Sequence, residues 1–226
     1  AKLTGVTATG AGEVAVTALQ STDAADLSAL TATTLTAAAT LAADATETFT
    51  GNLGTAAVAL TGTDGGSNDI FNVDGATMGT ATFTVDSNAT LQGTAAKLTG
   101  VTATGAGEVA VTALQSTDAA DLSAITATTH TASVSGTNTS FTGDIGDAAV
   151  TVASGTWTVG NGATISTAAS MSVSSGATLT GDAAILTGET ISGAGTVAVT
   201  ALQSTDAANL SAITATTHTA SVSGTN

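Results

Sequence analysis

The sequence predicts an all-β chain, a parallel β-solenoid of about 10–12 short coils built from repeats of roughly 88–95 residues. Three observations predict it. Long phrases recur almost verbatim. Between them run short β-branched stretches, GTWTVG, ATFTV, EVAVTAL and TASVSG, punctuated by Gly, Asn and Asp. The composition suits strands and tight turns: more than a fifth of the residues are Thr, 26 are Gly and none is Pro. Thr favours strands, Gly supplies positive φ at corners, and a ladder that needs every N–H excludes Pro.

The repeat comes first. Ala1–Ala29 is identical to Ala96–Ala124, an offset of 95, and the text from Ala95 matches that from Ala183, an offset of 88. The chain therefore reads as repeat 1–95, repeat 96–183 and a partial repeat 184–226, one continuous solenoid segment across residues 1–226. Because the text begins at AKLTG, inside a repeat, it is expected to be part of a longer array. Copy one is longer by 3 residues before Phe49, which matches Phe141, and by 4 more near GTDGGSND, where Val58 matches Val150 and Val85 matches Val173. Length changes that leave the flanking text intact mark loops.

Coils are legible inside the repeat. VDSNATLQG, VGNGATIST and VSSGATLTG share the form V-x-x-x-A-T-[IL], and the last two begin close together, at Val159 and Val173. Coils of about 16–24 residues, four or five per repeat, follow, each burying its inner face only by stacking on its neighbours. The thrice-used VTALQSTDAADLSA is expected to be a strand–turn–strand corner with at most one helical turn. A short helix capped by Ser21, Thr22 or Asp23 is the alternative. A helix over TTLTAAATLAADAT is weaker, since copy two has the strand-like TTHTASVSGTN there.

Charge narrows function. There are 17 acidic residues against 2 lysines and no arginine, a formal net charge of −15. Binding to nucleic acid or to an anionic membrane surface rests on Lys/Arg clusters, which are missing. Of the acids 13 are Asp and 4 Glu, a balance that favours turns over helices. No Cys is present, so neither disulfides nor thiolate metal sites contribute. No apolar run reaches the ~18 residues of a membrane span.

The stretch GTWTVGNGATISTAASMSVSSGATLTG (155–181) resembles the passenger repeats of autotransporters and filamentous-haemagglutinin-like adhesins. More broadly, the whole chain looks like the long Thr/Ala/Gly-rich repeat proteins of bacterial cell surfaces. The resemblance implies a secreted, β-helical, structural or adhesive protein.

Few residues suggest chemistry. GGSNDIF (65–71) is similar to the calcium nonapeptide of the repeats-in-toxin family, one residue short and without a tandem copy. Asp64, Asp69 and Asp74 are the candidate calcium ligands, set against a solvated loop insertion. The pairs Asp23/Asp26 and Asp118/Asp121 become Asp206/Asn209 in copy three, which points to turn chemistry rather than charge. His130 and His218 replace Leu35, a pattern of a partly exposed or semi-apolar position. Lys2 and Lys97 exchange with Ile185, and Glu13 and Glu108 with Thr196, which reads as outer-face decoration. Trp157 is the candidate ligand-binding residue, by stacking on a sugar, against a core-filling role. No Ser-His-Asp grouping and no basic partner for a carboxylate pair stands out, so no enzyme is expected.

The function expected is structural: a rod-like segment of a secreted, extracellular bacterial surface fibre, filament or adhesin stalk. It would self-associate through solenoid ends or sides. A carbohydrate- or surface-binding adhesin module is the alternative, and an ice-binding solenoid a further one. Against the last stands the variation in coil length and text, because an ice face needs the same Thr pair on successive coils.

Overall fold

The computed structural model describes residues 6–20, 24–65, 68–116, 119–138, 140–166, 169–203 and 207–223. The chain is all-β, with parallel strands wound into a solenoid of about 10 turns. It forms two compact units, Ala1–Lys97 with Val101–Ala110 and Ala124–His130, and Leu98–Gly100 with Val111–Ser123 and Thr131–Asn226.

In the first unit the strands are β1 (Ala8–Val16), β2 (Leu30–Thr40), β3 (Thr46–Thr48), β4 (Ala57–Thr61), β5 (Asp69–Asn72), β6 (Thr82–Val85), β7 (Ala89–Thr94) and the opening of β8 (Thr102–Thr112). One face has the order β1-β2-β4-β6-β8 and another β3-β5-β7, all parallel. A helical turn, α1 (Ala95–Leu98), follows β7. In the second unit one face is β9 (Ile125–Ser135, from Thr131 onward), β10 (Ala149–Ser154), β12 (Ser170–Val173) and β14 (Thr190–Ser192). The other is β11 (Thr156–Val159), β13 (Thr178–Asp182), β15 (Thr196–Leu202) and β16 (Thr217–Val222). Here α2 (Ala183–Leu186) matches α1. Neither helical turn was anticipated from the sequence: a single turn is too short for a periodic signal.

Alternation places every second side chain inside. Val58 and Leu60 of β4, Phe83 and Val85 of β6, and Met171 and Val173 of β12 are buried while their Thr, Ala and Ser neighbours face out. The Ala-rich stretch 33–46 lies largely in β2 and β3, not in a helix.

Stacking reproduces the repeat. Val58 lies between Ala37 and Phe83, and its counterpart Val150 lies between Ala132 and Met171. Both steps of copy one, Ala37 to Val58 and Val58 to Phe83, are longer than those of copy two, Ala132 to Val150 and Val150 to Met171. The surplus is therefore taken up between strands, as loops, with the pairing unchanged.

Corners close by a recurring device. The N–H of one residue donates to the carbonyl three residues back at Leu53–Ala56, Val73–Ala76, Met78–Ala81, Asp86–Ala89, Ile145–Ala148, Gly160–Ala163 and Ser174–Ala177. Each of these turns ends on Ala. The V-x-x-x-A-T-[IL] motif is this turn, with Ala89 and Ala177 re-entering the core and Ala163 half-buried. In copy two a 3-10 turn, Leu114–Ser116, leads into the QSTDAADLSA corner. The proposed caps Ser21, Thr22 and Asp23 lie outside the described residues.

Candidate functional site

The second unit carries a regular surface on the β11-β13-β15-β16 sheet. Register aligns Thr156, Thr178, Thr196 and Thr217 in one outward file and Thr158, Thr180, Ala198 and Thr219 in the next. Between the files the chain turns Trp157, Leu179 and Val197 inward, all buried. Strand geometry sets the hydroxyl mesh: neighbours in a file stand about 4.8 Å apart and the two files about 6.7 Å apart. The coils differ in text, yet three of four strands present Thr-x-Thr and the fourth Thr-x-Ala. The sequence argument against such an array, variable coil length, fails here because the variation is confined to the corners.

The acidic candidates divide. Asp69 is fully buried, and its two carboxylate oxygens accept the backbone N–H groups of Asp44 at 2.8 Å and Thr63 at 2.7 Å. It ties the backbone at Thr63 to the corner of the coil before it. Asp74 is exposed, accepting the N–H of Thr94 at 2.7 Å and the side-chain amide of Asn72 at 3.2 Å. Asp64 stands half-buried in the loop. Among the described residues no three His, Cys, Asp or Glu side chains gather closely enough to hold a metal ion. The geometry assigns Asp69 and Asp74 to backbone anchoring.

Trp157 is fully buried, its ring 5.5 Å from that of Phe141. Phe71 occupies the same place in copy one, 5.8 Å from Phe49. Thus the face a sugar would need is packed in the core, and the filler reading describes this residue. The indole Nε1 is buried with no hydrogen-bond partner among the described residues.

The Asp pairs hold turns. Asp26 accepts the N–H and hydroxyl of Ser28 at 3.0 and 2.6 Å, Asp121 those of Ser123 at 3.1 and 2.6 Å, and Asn209 those of Ser211 at 3.2 and 2.7 Å. Asn serves as well as Asp because only the acceptor is used. The serine hydroxyl, then the serine N–H, hold the carboxyls of Asp26 and Asp121 below the ordinary 3.8. Their partners Asp23, Asp118 and Asp206 lie outside the described residues.

Two readings need correction. His130 is buried, as is its counterpart Leu35, so in copies one and two that position belongs to the core, whereas in copy three His218 is exposed. Lys97 is not mere decoration: its ammonium donates to the carbonyl of Ala76 at 2.5 Å in a half-buried setting. Sequence reasoning missed this contact because the partner is a backbone atom in the preceding coil.

Comparison with protein-family models, curated proteins and solved structures found no match. No helix among the described residues is long and apolar enough to cross a membrane.

Proposed function

We propose that this chain is a structural protein, a segment of a secreted bacterial surface fibre, filament or adhesin stalk, with a mechanical rather than catalytic role. The observation that carries this reading is the common stacking of two unequal repeats, in which Val58 and Val150 keep equivalent neighbours despite loops of different length. Such a design maintains a backbone ladder while tolerating change at the corners. Ladders resist extension and proteolysis because opening one coil exposes the core of the next. Self-association is part of the proposal. With a net charge of −15, copies repel at low salt and approach when the charge is screened. Sedimentation of the full chain at rising salt should reveal larger species, and negative-stain micrographs should show filaments. A monomer at every salt and protein concentration contradicts the assembly.

The aligned Thr files favour a second reading, an ice-binding face. Hydroxyls and methyls at a fixed mesh on a rigid sheet would hold water in a regular array. Replacing Thr180 with Lys, between Thr158 and Ala198, should abolish inhibition of ice recrystallisation while leaving the circular dichroism spectrum unchanged. No inhibition by the parent chain removes this reading.

A further inference from the structure

We propose that a pocket beside Glu189 binds a primary alkylammonium group, of the kind borne by a lysine side chain or a short diamine. The pocket lies in the second unit, has a volume of about 340 Å³, and is lined by Ala163, Thr164, Ile165, Ala184, Ile185 and Glu189 among others.

Comparison with the preceding repeat identifies the ligand chemistry. Ala76 and Ala163 are equivalent: each closes a turn, at Val73 and Gly160, and precedes a Thr whose N–H reaches Gly51 or Gly143. Lys97 and Ile185 are equivalent positions in α1 and α2, and Val101 and Glu189 are equivalent positions just beyond those helices. In the earlier repeat Lys97 reaches across and gives its ammonium to the carbonyl of Ala76, while Val101 is buried. In the later repeat Ile185 has no donor. The side chain of Glu189 and the carbonyl of Ala163 have no hydrogen-bond partner among the described residues. The exchange removes an internal ammonium, leaves a pocket and adds a carboxylate to its wall.

An external ammonium restores what the exchange removed. It offers three N–H donors, enough for a carbonyl, a carboxylate and the Thr164 hydroxyl. Its methylene stem would lie along Ile165, Ile185 and Ala184, as amphipathic cations lie along apolar surface. Burial raises the Glu189 carboxyl above its ordinary 4.5, so a cation beside it relieves a desolvated charge. One carboxylate is too few hard oxygens for calcium.

The test is titration of the labelled full chain with n-pentylamine, followed by amide chemical shifts. Saturable shifts at residues 163–165 and 184–189, with none from pentanol, are expected. Glu189→Gln should weaken binding about tenfold or more. Ile185→Lys, which rebuilds the internal contact of the earlier repeat, should abolish it. Should that variant misfold by circular dichroism, Glu189→Val, carrying the earlier repeat's residue, takes its place. Cadaverine and a blocked lysine amide are the two further arms. Tighter binding of the first identifies a free diamine, and of the second a protein lysine. Equal shifts from pentanol, unchanged affinity in Glu189→Gln, or no saturable shift overturns the proposal.

Discussion

At the residue scale, small side chains decide the fold. Ala56, Ala89, Ala148 and Ala177 are each almost wholly buried at the fourth position of a corner turn, where a methyl fills the angle between two strands. Packed interiors resist added volume. Ala177→Leu should therefore cost about 1–3 kcal/mol, read as a lower denaturation midpoint. The two aromatic pairs make the opposite point. Trp157→Phe recreates the Phe49–Phe71 pair of copy one and removes a buried N–H without a partner; urea denaturation should find it within about 1 kcal/mol of the parent. Trp157→Ala should cost about 3–5 kcal/mol. Acid acts through the turn carboxylates. Asp121 lies below 3.8 when folded, so its contribution is present above that value and is lost as pH falls. Asp121→Asn, copying Asn209, should leave the melting temperature at neutral pH nearly unchanged and flatten its decline on acidification.

At the element scale, strands were legible and corners were not. Alternation in TFTV, SMSV and TVAVTAL locates β6, β12 and β15, because a period of two follows directly from the pleat. The faces they join were hidden, since register depends on corner length, and corner length is set by turns and loops rather than by strand text. The same gap explains the candidate site. Thr-x-Thr pairs are visible in the sequence, but their alignment emerges only when strands separated by a whole coil pair with one another. Asp69 looked like a loop ligand because its two backbone donors lie on different segments. Close coil stacking also fixes particular glycines. Gly193, at φ +115°, would place a Cβ 2.2 Å from the carbonyl of Val173, whereas Gly10 has a similar φ and nothing within 4 Å. Gly193→Ala should destabilise by about 2 kcal/mol or more, and Gly10→Ala by less, the difference measuring coil contact.

At the scale of the whole molecule, the balance of charge and repeat governs behaviour. Only 2 cations oppose 17 anions, so cohesion comes from ladders and the aliphatic core rather than ion pairs. Screening length falls from about 30 Å at 0.01 M salt to about 3 Å at 1 M. Thermal denaturation should accordingly show a rising melting temperature with sodium chloride, and a flat or falling trend would mean that repulsion is not the main electrostatic cost. The surplus beside Asp64 carries one more consequence. It makes the coil from Val58 to Phe83 longer than its counterpart from Val150 to Met171, yet the pairing of those strands is the same. Doubling a loop costs only about 0.6 kcal/mol in closure entropy. A foreign peptide spliced at that point should be carried on the surface as a displayed epitope, making this corner a natural grafting position.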